Sequence, residues 1–489
     1  MKEFAELAQA NLDPAAAALL PLEFCLERRV AILGPVSAAG PIAVAALDAT
    51  DAGLASGLTT RLGRPVRLVQ FNAFEIRRAL GRLYDLPLDG GEEDPLKIDS
   101  SREIVFEEDQ SASRLLEDLL AVAVRRRATD VHIERYAEDV DLRFRIDGVL
   151  TQVSTPLSPD NVARVVSRLK VLCGADLSER RRAQDGSFAA LYGDRRIDVR
   201  ATFLPGTAGE DVALRLLDPS GFILDLEALS MPAELLEAWR ELSRRPHGLL
   251  LATGPTGAGK TTTLYATVAS RAGDGVKIVT AEDPVERTLP KVNQKAVTPK
   301  MGFADHLRAF LRANPDVMLV GEIRDPATAE IAVRAATTGH LILSTLHTAD
   351  AAGAIGRLRA LGAEDDLLAE TLLGVLGQRL LRRICEACRR EAPADARLAA
   401  RYYADVPATP FYRGTGCERC DGTGYRGLVG AFELFRPDAA ARAALAAGRP
   451  VEEIRRRVEG PTLLEDALRK AEAGLTTLEE VARKIPPPN

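Results

Sequence analysis

The chain has 489 residues, room for about three domains, and its 46% hydrophobic and 27% charged content is that of a globular protein, which excludes bulk disorder. A formal net charge of −6 disfavours a protein whose main task is to grip nucleic-acid phosphates, so no direct nucleic-acid partner is expected. No stretch approaches the ~18 apolar residues that cross a bilayer, and Met1-Lys-Glu-Phe-Ala-Glu6 is too acidic for a secretory signal, so a cytoplasmic location is expected, with membrane attachment only through partners.

Residues 1–88 read as an alanine-rich N-terminal module with short strands such as Val30–Leu33 and Pro65–Val69, and they carry no catalytic pattern. Residues 89–110, with Asp89-Gly-Gly-Glu-Glu-Asp-Pro95 and Asp99-Ser-Ser101, are acidic and turn-rich and are expected to form a hinged linker. Residues 111–225 open with helical spacing over Ser113–Val124 and continue with a helical segment at Asn161–Val171. Apolar and polar residues alternate in Asp130–Glu134, Val140–Ile146, Arg196–Leu204 and Asp211–Leu217, and Asp147-Gly148 marks a tight turn. This stretch is expected to be an α+β sheet domain with Arg200 and Arg215 on strands of one sheet.

Residues 226–384 alternate short, continuous and largely apolar runs (Val276–Thr280, Val317–Val320, Leu341–Thr345) with helical patterns, as a parallel sheet covered by helices requires. The strand-like Gly248–Thr253 runs into Gly254-Pro255-Thr256-Gly257-Ala258-Gly259-Lys260-Thr261-Thr262 and then a helical stretch. Strand, glycine-rich turn and helix form a P-loop, in which backbone amides and the helix dipole cradle phosphate, Lys260 reaches the β/γ-phosphates and the Thr261 hydroxyl serves Mg²⁺. A nucleotide is therefore the expected ligand.

Asp316-Val-Met-Leu-Val-Gly-Glu322 places a carboxylate at the C-terminal end of an apolar strand, the edge where open α/β sheets bind ligands. Glu322 is thus a candidate for the Mg²⁺ shell or for orienting water. Glu282-Asp-Pro-Val-Glu286 closes the strand Val276–Thr280 in the same way, and Glu282 is the first choice for general base, with Glu322 its rival. Gly339–Thr348 sets His340 and His347 at the two ends of one strand, so that His347 emerges at the ligand edge, where it can sense the γ-phosphate. Arg324 and Arg334 are weaker candidates for approaching phosphate.

Six cysteines divide into lone Cys25 and Cys173, expected as buried apolar residues, and two Cys-x-x-Cys pairs, Cys385/Cys388 and Cys417/Cys420, within residues 385–435. Four thiolates suit one tetrahedral, structural Zn²⁺. Residues 436–489 read as packing helices.

Together these motifs resemble the secretion ATPases of type II secretion and type IV pilus assembly, from about Ala128 to Leu434. Ala128-Thr-Asp-Val-His-Ile-Glu134 and Phe144-Arg-Ile-Asp-Gly-Val149 resemble the family's second N-terminal domain. Gly254–Thr261 matches its Walker A, Ile278–Glu286 its aspartate box, Pro315–Asp325 its Walker B segment and Thr338–Thr348 its histidine box. The resemblance implies a multidomain α/β chain: a small N-terminal module, an α+β sheet domain, a RecA-like core with a parallel sheet, and a tetracysteine zinc subdomain. It further implies a homo-hexamer that hydrolyses ATP, in which Arg200 and Arg215 approach the phosphates, partly across subunit boundaries. As implied partners, the N-terminal module docks a secretion-system protein of the inner membrane that has a cytoplasmic domain, and the ring works on an inner-membrane platform protein, which makes the chain peripheral to that membrane. Ala349 stands where the family usually has asparagine, and Ala183 where it usually has proline.

Within the family, roughly 110 residues before Ser111 favour the type II secretion branch, which drives a pilus-like piston, over the type IV pilus assembly ATPase, whose N-terminal region is usually longer. A RecA-like nucleic-acid motor is disfavoured by the acidic balance and by the lack of a basic, aromatic-studded tract.

Overall fold

Strands in this chain follow the period of their apolar residues, two for sheets with one solvated face and continuous for sheets covered on both. A computed structural model describes residues 12–487 except 14, 17–18, 34–35, 37–39, 72–75, 77–78, 81–82, 85–94, 101–103, 105–109, 219–220, 222, 274, 408–409 and 456–459. The chain divides into two units, Met1–Asp218 and Pro219–Asn489.

In the first unit, β1 (Ala31–Leu33), β2 (Ile42–Ala46) and β3 (Val66–Gln70) form a three-stranded sheet, antiparallel between β1 and β2 and parallel between β2 and β3. A parallel neighbour needs a crossover, supplied by the helix Ala52–Leu62. Asp51 caps that helix by accepting from the Leu54 amide at 2.8 Å.

The same unit holds a seven-stranded sheet in the order β4-β8-β9-β10-β5-β6-β7, where β4 is Leu96–Ile98, β5 Ala128–Arg135, β6 Val140–Ile146, β7 Val149–Gln152, β8 Gln184–Tyr192, β9 Arg195–Pro205 and β10 Glu210–Leu217. Helices Ala112–Arg125 and Val162–Cys173 share its core with inward residues such as Val131, Phe144 and Phe203. The expectation of a linker over 89–110 needs correction at Leu96–Ile98, which pairs parallel to β8 and buries Leu96 and Ile98 while exposing Lys97. Alternation outweighs the acidic surroundings there. The linker residues 89–94, 101–103 and 105–109 lie outside the described residues.

The second unit is built on a sheet in the order β13-β12-β14-β15-β11-β16-β19: β11 Gly248–Thr253, β12 Ile278–Glu282, β13 Asn293–Ala296, β14 Val317–Val320, β15 Leu341–Leu346, β16 Leu372–Ile384 and β19 Tyr425–Phe435. All neighbours are parallel except β16 and β19, which are antiparallel. Every residue of β11, β12, β14 and β15 is buried, because helices cover both faces. Tyr425–Phe435, expected within the cysteine subdomain, is instead the edge strand of this sheet. The insertion between β16 and β19 carries a two-stranded ribbon, β17 (Arg389–Ala392) with β18 (Phe411–Gly414). The C-terminal helices Leu463–Glu472 and Leu478–Lys484 pack Ala467, Ala471 and Val481 on Leu381, Val429 and Ala431 of β16 and β19.

Candidate nucleotide and metal sites

The P-loop lies where the sequence places it, between β11 and the helix Lys260–Arg271. Gly254 has φ +152°, Gly257 φ +73° and Gly259 φ +86°, and a Cβ on Gly254 would stand 2.5 Å from the Gln378 carbonyl oxygen, so both conformation and space demand glycine. Gly259 offers no side chain to cap the helix, which leaves the first amides for an anion.

Lys260 is 8% exposed, and its Nζ donates to the carbonyls of Gly254 at 2.9 Å and Pro255 at 3.0 Å. Burial lowers its pKa to about 8, against the pull of the Glu322 carboxylate and with help from Arg379.

Glu322 and His347 meet at the C-terminal edge of β14 and β15. Glu322 Oε2 lies 2.5 Å from Arg324 Nε and 3.6 Å from His347 Nε2, and it acts on Lys260 through its charge. Burial and the positive charge of Lys260 lower the His347 pKa, with Glu322 opposing, so the imidazole is neutral at physiological pH. His340 sits at the other end of β15, its Nδ1 3.2 Å from the Ala335 carbonyl.

Glu282 is held differently. It is 3% exposed; one carboxylate oxygen accepts from the Tyr265 hydroxyl, and the other from the Thr280 hydroxyl and from Gln294 Nε2 at 3.0 Å. Tyr265 belongs to the P-loop helix, so Glu282 ties that helix to the end of β12, and both its oxygens are taken by protein donors.

In the first unit, Arg200 of β9 and Arg215 of β10 are direct cross-strand partners. Arg215 Nε lies 3.3 Å from Asp130 Oδ1, and Arg145 Nε 3.6 Å from Oδ2 of the same carboxylate. The two arginines line a cavity of about 950 Å³ with Asp130, His132, Asp176 and Asp185. The lining thus sets two guanidiniums beside three carboxylates, with Asp130 already paired to Arg215 and Arg145.

The four cysteine sulfurs lie within 4.8 Å of one another, with Sγ separations of 3.9 Å (Cys385–Cys417), 3.8 Å (Cys388–Cys420) and 3.7 Å (Cys417–Cys420). A tetrahedron with Zn–S bonds of about 2.3 Å has edges of about 3.8 Å, so the donor set fits zinc. The amides of Cys417 and Gly424 point at Cys420 Sγ from 3.2 and 3.3 Å. Burial raises this thiol, and those amides outweigh it, holding Cys420 below the ordinary thiol range. At the base of the knuckle a Cβ on Gly414 would stand 2.0 Å from the Gly424 carbonyl oxygen, which restricts that crossing to glycine. Cys25 and Cys173 are buried, as expected.

Motif reading missed Tyr265, Gln294, Gln378 and Arg379. Only the Gly377-Gln378-Arg379 break in the apolar run of β16 signals any of them, and nothing in sequence order connects that break to a P-loop more than a hundred residues earlier.

The sequence matches the family described as type II/IV secretion system protein over residues 106–483 and the MshEN domain over residues 2–90. It is 45% identical over 387 residues to the type II secretion system protein E of Dickeya dadantii (strain 3937), covering 77% of this chain and 76% of that one. It is 43% identical to the type II secretion system ATPase E of Vibrio cholerae over 77% of this chain and 76% of that one, and 41% identical to the type IV pilus assembly ATPase PilB of Thermus thermophilus over 80% of this chain but 44% of that one. Among solved structures, the pilus retraction motor PilT with bound ADP superposes with a TM-score of 0.52 at 28% identity, covering 76% of this chain and 97% of that one. The Legionella pneumophila ATPase DotB shares the fold, with a TM-score of 0.57 at 20% identity over 80% of this chain and 99% of that one.

Proposed function

Since the chain belongs to the family of type II/IV secretion system proteins, we infer that it is the ATPase of a type II secretion system, coupling ATP hydrolysis to assembly of the pseudopilus and to protein export. The observation that carries this reading is the gathering of Lys260, Glu322 and His347 at one edge of a parallel sheet, on a P-loop whose helix amides are open. ATP enters the loop through Gly254–Thr262; Lys260 exchanges its two carbonyl partners for phosphate oxygens. The Thr261 hydroxyl and the Glu322 carboxylate would hold Mg²⁺, which would supply neutralisation of phosphate charge. Glu322 orients the attacking water, neutral His347 donates toward the transferred phosphate, and Glu282 holds the P-loop helix through Tyr265. Arg200 and Arg215 supply further positive charge to the phosphates. Zn²⁺ on Cys385, Cys388, Cys417 and Cys420 is structural. The chain works as a cytoplasmic homo-hexamer peripheral to the inner membrane, its N-terminal module docking a membrane protein with a cytoplasmic domain and its ring acting on a platform protein. PilB shares the engine, but this chain spans less than half of its length, whereas it spans about three quarters of the type II relatives.

Two experiments test the assignments. Glu322→Gln is expected to lower turnover by about 10²–10⁴-fold with little change in Tm, because its carboxylate bonds only at the rim of the cleft. Glu282→Gln is expected to lower Tm as well, because it disturbs a buried network with Tyr265, Thr280 and Gln294. The opposite pattern, a stable but inactive Glu282→Gln beside an active Glu322→Gln, returns the base to Glu282. Arg215→Ala alone is expected to lose on the order of 10³-fold in turnover, and mixed rings of Arg215→Ala with Lys260→Ala subunits are expected to recover part of it. Mixtures as inactive as either parent would confine the arginine to its own subunit.

A further inference from the structure

Three contacts, beside the Arg455–Asp350 ion pair at 3.0 Å, fasten the segment after β15 that carries His347. The Thr348 amide donates to Thr253 Oγ1 at 3.1 Å, and the two hydroxyls lie 2.6 Å apart, which ties the segment to the last residue of β11. The Ala349 carbonyl accepts from Arg379 Nη2 at 2.6 Å, and the Ala351 amide donates to the buried Glu433 at 2.6 Å. The second of these fastenings is the one that also reaches the P-loop. Arg379 Nη1 donates at 2.9 Å to the Gln378 carbonyl, whose oxygen leaves no room for a Cβ at Gly254, and Gln378 Nε2 donates at 2.7 Å to the Ala258 carbonyl. Gln378 therefore packs closely against Gly254 and bonds Ala258, and one guanidinium joins it to the His347 segment.

We propose that Arg379 is a positioning residue for ATP hydrolysis: by bridging the carbonyls of Gln378 and Ala349 it sets the spacing between the P-loop and the segment that presents His347. At position 349 the side chain is a methyl group, so the backbone carbonyl is what this residue offers for fastening, and a rigid two-pronged donor suits two carbonyls where an ammonium does not. The hydrogen bonds of Arg379 go to the backbone carbonyls of Gln378 and Ala349, so the role assigned to it is exerted through the loop. A displacement of about 1 Å between catalytic groups can cost about 10²-fold in rate. This inference rests on the reading that His347 faces the transferred phosphate.

The test uses the full-length zinc-loaded oligomer with Arg379→Lys and Arg379→Ala. Turnover is expected to fall roughly 10- to 100-fold with KM for ATP and Tm near the wild-type values, Lys losing less than Ala. In a His347→Ala background, Arg379→Ala is expected to add no further loss. Amide exchange over residues 347–351 is expected to quicken about tenfold in both Arg379 variants, with the exchange of the C-terminal helices unchanged. Unchanged exchange in 347–351, or rate losses that simply multiply in the double variant, overturns the proposal. If His347→Ala by itself leaves turnover intact, the role given to His347 fails, and Arg379 is then judged on the exchange of the segment alone. Arg379→Lys keeps the buried charge and serves if the alanine variant does not fold.

Discussion

Lys260→Ala is expected to lose on the order of 10²–10³-fold or more in ATP turnover while melting close to the wild type. The rate loss follows from chemistry that consists almost wholly of placing and neutralising phosphate charge, so removing the one cation inside the P-loop removes a large share of what the loop does. The small stability change follows from the geometry. Lys260 is buried, with the Gly254 and Pro255 carbonyls as its hydrogen-bond partners among the described residues, and burial already pushes its pKa down to about 8, the mark of a charge whose lost hydration is incompletely replaced. Deleting it removes that cost as well as two hydrogen bonds. Phosphate release measured with the purified protein, beside a thermal melt, checks both halves. In cells the same variant should assemble and fail to export. Export at the wild-type rate would make the chain a docking scaffold and not a motor.

Removal of zinc is expected to have the second large effect, on structure first and on activity through it. The four sulfurs close a small insertion whose knuckle has the cysteines themselves as its buried cluster, while Ala399, Tyr402 and Phe411 of the insertion pack with the C-terminal helices. Metal binding of this type supplies on the order of 10 kcal/mol of folding free energy, more than the whole margin of many domains. The purified chain should carry one zinc. Chelation or Cys388→Ser should release it and open the β17/β18 ribbon to protease between Cys385 and Gly424. The damage is expected to spread along β16 and β19, because the Cys385 amide bonds the Gly424 carbonyl at 2.9 Å and the opposite stretch of β16 carries Gln378 under the P-loop. ATP turnover should therefore fall with the metal, though no cysteine touches nucleotide. A zinc-free protein with its original protease map and rate would remove the metal from the account.

Much of the site could be read in sequence order because its parts are local. The P-loop is one continuous stretch whose glycines, lysine and threonine are tied to backbone conformation. Val317–Val320 and Leu341–Leu346 are apolar on both faces, so they had to be central parallel strands with Glu322 and His347 just beyond their C-terminal ends. The paired cysteines announce a four-sulfur cluster by their spacing. Other elements were harder for equally physical reasons. Ile42–Ala46 is mostly alanine, with too few β-branched residues to separate it from helix. Leu96–Ile98 is three residues among acids and turn formers, and only its neighbour β8 makes it a strand.

Residue types and their order along the chain therefore determined that this protein binds a nucleotide, carries a four-thiolate centre and builds a helix-covered parallel sheet, since each of these depends on contacts within one turn or one strand. Side-chain partnerships across strands were decided only by the tertiary structure. Glu282 and Glu322 look equivalent as carboxylates at strand ends, yet one is enclosed by Tyr265, Thr280 and Gln294 while the other faces His347 and Lys260. Arg379 gains its place because β16 runs beside β11. The reason is that strand order in a sheet joins residues far apart in the chain, and no local pattern of apolar and polar residues encodes which strands become neighbours.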